Sequence, residues 1–91
     1  MVKRLVLDEK LDTAAADKLR DAIVSAETDD IVADGAGVAV LGALCLELLM
    51  SARVLWTQNG KSFVLENPSE PLVENLVRFG VTPDHFEGSV A

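Results

Sequence analysis

The side chains whose type and spacing could do chemistry gather around Asp34, which ends the short apolar run Ile31-Val32-Ala33 and precedes Gly35-Ala36-Gly37. An acid at the C-terminal end of a strand can contact a ligand, because open α/β sheets hold their sites at that edge. Its simpler use is a hydrogen bond to the loop that follows. Gly35 and Gly37 make a Gly-x-Gly step without the longer phosphate fingerprint or the lysine of a P-loop, so nucleotide binding is not expected. Cys45 lies in an apolar stretch with nothing adjacent to depress its pKa, and reads as a small buried hydrophobe. His85, the single histidine, sits beside Pro83-Asp84 and reads as a surface or helix-cap residue. No nucleophile, base and orienting group assemble, and no His/Cys spacing suits zinc. The expectation is a binding protein with no catalytic residue, no cofactor and no metal.

Composition narrows the class of partner. Ninety-one residues give room for one domain, residues 1–91, and its 49% hydrophobic content suits a folded core rather than a disordered chain. A formal net charge of −7, with the basic residues scattered, repels phosphate backbones and anionic lipid headgroups. Nucleic acid is therefore not an expected partner. The most apolar stretch, Val38 to Leu46, falls far short of the roughly 20 residues that cross a bilayer, so no membrane insertion is expected. A lone cysteine and the absence of an apolar leader fit a cytoplasmic protein.

The elements that must position Asp34 follow from period. Val2 to Leu7 is β-prone, and Leu11, Ala15, Leu19, Ala22 and Ile23 recur at helical spacing behind Asp12 or Thr13 as cap. Ile31 to Ala33 reads as a strand buried on both faces, and Gly35 and Gly37 are expected to turn the chain through conformations closed to other residues. A long helix from about Gly42 to Gln58 stops at Asn59-Gly60. Ser62 to Leu65 is a further strand, and Ser69 caps a third helix with Pro71 in its first turn, Leu72, Val73, Leu76, Val77 and Phe79 on its apolar face, and Gly80 at its end. Thr82 is a candidate cap for one more helical turn. Alternation of strands and helices implies a small, largely parallel sheet with right-handed crossovers.

The order strand, Leu11-Asp12, helix, strand ending in Asp34, loop, long helix, Gly60, strand, Asn67-Pro68-Ser69, helix, Phe79-Gly80-Val81 resembles the STAS domain, the anti-sigma-factor antagonist family. The resemblance implies an α/β fold: a small mixed or parallel sheet with helices packed mainly on one face, here one N-terminal strand shorter than in many relatives. In switching members an Asp-Ser pair opens the long helix and a partner kinase phosphorylates the serine. Counted from Asp34, that pair falls on Gly42 and Ala43, and no Ser or Thr lies between Ile31 and Met50. The acceptor is lost. The chain thus resembles non-phosphorylated members of the chemotaxis-associated type. Modification at Ser51, Thr57 or Ser69 is left open, although none of them occupies that helix end.

Between Leu41 and Trp56 the clearly polar side chains are Glu47, Ser51 and Arg53, so the long helix is apolar on more than one face. Leu44, Leu48, Ala52 and Leu55 are expected to face the sheet, leaving Leu46, Leu49, Met50 and Val54 toward neighbours, a partner or a second copy of the chain. Trp56 and Phe63 are expected in the core. The expected partner-binding residues are Asp34, Gly35, Gly37, Gly42, Ala43, Leu46 and Met50. By resemblance, the partner is a regulatory protein, a histidine-kinase-like ATPase of the chemotaxis or anti-sigma type. The alternatives are a STAS subunit of a lipid-transport ABC complex or a small-ligand sensor.

Overall fold

The computed structural model describes residues 2–81. Strand β1 (Val2–Val6), strand β3 (Asp30–Asp34) and strand β5 (Phe63–Glu66) form a parallel sheet in the order β1-β3-β5. Two shorter strands, β2 (Lys10–Leu11) and β4 (Val40–Leu41), pair in parallel beyond it, and no periodicity announces elements of two residues. Among the described residues three helices accompany the strands: α1 (Ala16–Ser25), entered through a 3-10 turn over Thr13–Ala15, α2 (Ala43–Gln58) and α3 (Glu70–Arg78).

Register explains which face is covered. Lys3, Ile31 and Phe63 align across the sheet, as do Leu5, Ala33 and Leu65. Ile31, Ala33 and Phe63 are buried and join one core with residues from all three helices, while Leu5 and Leu65 pack against it. Alternation then places Val2, Arg4, Val6, Val32, Asp34, Val64 and Glu66 on the opposite face. There Val2 and Val6 are exposed and Val32 and Val64 only half-buried. The α/β reading with helices on one face holds, and β3 is buried from one face rather than both.

Local chemistry fixes the helix ends. Asp12 Oδ1 accepts from the Ala15 N–H, and Ser69 Oγ accepts from the Leu72 N–H. These are the side-chain caps that the sequence offers. Asn59 ends α2, with Gly60 at φ +73° and the Lys61 N–H donating to the Trp56 carbonyl. Gly80, at φ +77°, with the Val81 N–H donating to the Leu76 carbonyl, closes α3 the same way. Both are left-handed stops of the kind glycine makes cheap. Thr82 and His85 lie outside the described residues.

Two expected helix faces need correcting. In α2 the buried residues are Cys45, Leu46, Leu49, Ala52 and Trp56, whereas Leu44, Val54 and Leu55 are exposed and Leu48 and Met50 half-buried. The buried stripe is thus rotated from the one expected. A helix apolar nearly all round gives no phase by composition, and here the contacts with β5 and α1 choose the stripe. In α3 only Leu72 and Leu76 are buried, and Val77 and Phe79 face outward. Trp56 and Phe63 are buried edge to face, 6.1 Å between ring centres, with the indole N–H donating to the Asp29 carbonyl at 2.7 Å.

Candidate interaction surface

Asp34 has structural partners on both of its oxygens. Its Oδ1 accepts from the Ala36 N–H at 3.0 Å, and its Oδ2 pairs with the Arg4 guanidinium at 2.6 Å. Arg4 also reaches Glu66 at 2.7 Å, so one cation ties β1 to the ends of β3 and β5. The Ala36 N–H first, and Arg4 second, hold the Asp34 carboxyl below its usual range. The carboxylates of Asp34 and Glu66 in turn hold the Arg4 guanidinium above its usual range. With both carboxylate oxygens engaged, Asp34 orders the loop that follows it.

The loop after Asp34 is pinned from both sides. The Gly35 N–H donates to the Glu66 carbonyl, the Ser69 N–H donates to the Gly35 carbonyl, and the Ser69 hydroxyl donates to the Val38 carbonyl. Farther along, the Ala39 and Val40 N–H groups both donate to the Glu9 carbonyl, and the Gly42 N–H donates to the Leu11 carbonyl. The start of α2 is thereby held against the turn that opens α1. Cys45 completes the attachment by donating its Sγ–H to the Asp12 carbonyl at 3.4 Å, and burial raises its thiol pKa, as an inert cysteine requires.

The expectation that Gly35 and Gly37 adopt conformations closed to other residues does not hold, since neither has positive φ. Gly35 is required for space instead: a Cβ there would lie 2.6 Å from Leu72 Cδ2 and 3.3 Å from Leu65 Cδ1. Gly37 is exposed, with nothing within 4 Å of such an atom. Gly42 is the N-cap of α2 and offers no side-chain cap; Ala43 follows as its first residue.

Of the expected partner-binding residues, the structure gathers Gly37, Gly42 and Ala43 at the entry to α2, with Gly37 and Ala43 exposed. Asp34 is half-buried and Gly35 buried just beneath. Leu46 is 5% exposed and belongs to the core, because the stripe it shares with Leu49 is the one that packs inward. Its side chain is not part of the surface. Met50 is half-buried, about one turn beyond Leu46 along α2. Two residues not expected join the entry: Val40 and Leu44, each 44% exposed. Ala36, Gly37, Ala39 and Ala43 are exposed as well, and along the chain no charged residue lies between Asp34 and Glu47, while Lys10, across from Val40, and Asp12, beside Gly42, border the entry. Chain distance carried this signal, since Leu44 must share the exposed first turn with Ala43 once α2 starts at Gly42.

Among the described residues no group of three or more His, Cys, Asp or Glu could hold a metal ion, and no helix is long and apolar enough to cross a membrane. Such a site can bind another protein through shape and burial.

Residues 2–83 match the family model described as "Mlab, STAS domain". No curated protein and no solved structure matches the chain. The match spans most of the sequence, and the parallel sheet with helices on one face agrees with it, so the chain belongs to the STAS-domain family, whose members are protein–protein interaction modules.

Proposed function

We propose that this STAS domain is a cytoplasmic module of bacterial signalling that docks onto a regulatory protein of the histidine-kinase-like ATPase class, chemotaxis or anti-sigma type, without serine phosphorylation. The docking surface is loop 36–40 together with the first turn of α2. The observation that supports this reading is the entry to α2, where the apolar side chains of Val40 and Leu44 are exposed and Ala43 is exposed with them. A helix N-terminus presents free N–H groups and a positive dipole end, so a phosphate there would be well held and would disrupt an apolar contact. With Gly42 and Ala43 at that end, the contact stays unmodified. The acidic chain suits a partner with basic residues around an apolar centre, mainly through association rate and orientation.

The test is affinity capture of the tagged chain from its native cell extract with mass spectrometry, beside an Ala43→Asp, Leu44→Asp variant. Both positions are exposed, so the variant should fold. Recovery of a histidine-kinase-like ATPase by the native chain alone supports the reading. Recovery of transporter subunits instead moves the protein to the lipid-transport ABC class. Stabilisation by a small metabolite, with no protein captured, favours the ligand-sensor reading.

A further inference from the structure

A second apolar surface lies away from the entry to α2. Helices α1 and α2 bound a groove of about 190 Å³, with Arg20, Val24 and Glu27 on one wall and Leu48, Ser51 and Leu55 on the other. Val24 is 58% exposed and Leu55 50% exposed, so this strip faces solvent although its neighbours Ile23 and Trp56 are core residues. Arg20 and Val24 stand one helical turn apart on α1, and Glu27 lies in the turn just after its end, so a cation and an anion border the groove on either side of Val24 along the chain. Both are exposed, and neither enters an ion pair among the described residues.

We propose that this groove receives a second copy of the chain, the two α1 helices lying antiparallel about a two-fold axis near Val24. Under two-fold symmetry a patch meets itself reversed, so it must be complementary to its own image. An apolar strip with a cation at one end and an anion at the other satisfies that condition. Arg20 of one protomer faces Glu27 of its partner, the reverse pair forms at the other end, and Val24 and Leu55 are covered between them. A strip flanked by one sign of charge would repel its image. The surface is separate from loop 36–40, so the dimer and the docking of a regulatory partner stand or fall independently.

The experiment is sedimentation over a wide concentration range for the native chain, for Arg20→Glu, for Glu27→Arg, and for an equimolar mixture of the two variants, with circular dichroism confirming that each folds. The native chain is expected to dimerise. Each variant alone should associate about tenfold more weakly or worse, because like charges then meet at both ends. The mixture should recover native-like association, since a chain acidic at both positions meets one basic at both. Val24→Asp should abolish association in the native background. A constant monomer mass for the native chain overturns the proposal, as does native-like dimerisation of either variant alone. A mixture that stays monomeric also overturns it.

Discussion

The hydroxyl of Ser69 donates to the carbonyl of Val38, thirty-one residues earlier, while the same oxygen accepts from the N–H of Leu72. One side chain thus caps α3 and holds the loop that leads into α2. Replacing Ser69 by alanine removes both functions, with an expected loss of about 1–2 kcal/mol. Urea denaturation should show a lower midpoint with an unchanged slope. Aspartate at the same position restores the cap but cannot donate to Val38, so it should recover only part of the loss.

Gly35 and Gly37 separate a steric requirement from a permissive position. Gly35→Ala drives a methyl group against the buried Leu72 side chain and should cost about 1–3 kcal/mol through overpacking. Gly37→Ala meets nothing and involves no positive φ, so its effect should stay within about 0.5 kcal/mol. Equal losses in thermal denaturation would contradict the close approach of Leu72 to Gly35.

Acid should loosen the end of the sheet. Because the folded state holds the Asp34 carboxyl below its unfolded value, the stabilisation is fully present above the unfolded pKa of about 4. It is lost as pH falls through the lower folded value. Asp34→Asn should flatten the dependence of stability on pH below about pH 4 and leave its shape near neutrality unchanged. An unaltered acid limb in the variant would show that the contacts with Ala36 and Arg4 do not act on the carboxylate.

Much of this architecture was legible because it rests on local chemistry. Gly42, Gly60, Ser69 and Gly80 each mark a helix end by a property of one residue, and the strand ending in Asp34 is bounded by its own sequence. What was not legible depends on rotation and register. The phase of α2 misled because Leu44, Leu46, Leu48, Leu49 and Leu55 are chemically alike, and only packing against β5 and α1 decides which turn inward. Arg4 carries no sequence signal, because its partners, Asp34 and Glu66, become neighbours only once three parallel strands are in register. The β2–β4 pair is too short to carry a pattern. For the candidate surface, Ala43 and Gly42 were found by counting from Asp34, whereas Leu46 was misplaced with the rest of its stripe.

With Gly42 as N-cap and Ala43 as the first residue of α2, no hydroxyl occupies the entry to the helix. Incubation with a co-purifying kinase and ATP should leave the chain's intact mass unchanged. Stoichiometric addition of phosphate, at Ser51, Thr57 or Ser69 or elsewhere, would contradict control by an unmodified contact.

The central claim is that loop 36–40 and the first turn of α2 form the partner surface, and titration calorimetry with the regulatory protein recovered by affinity capture tests it most directly. The native chain and Val77→Asp, an exposed change on α3, should bind with equal affinity, and Leu44→Asp should bind at least about tenfold more weakly. Loss of binding with Val77→Asp and full retention with Leu44→Asp would place the contact elsewhere and contradict the account.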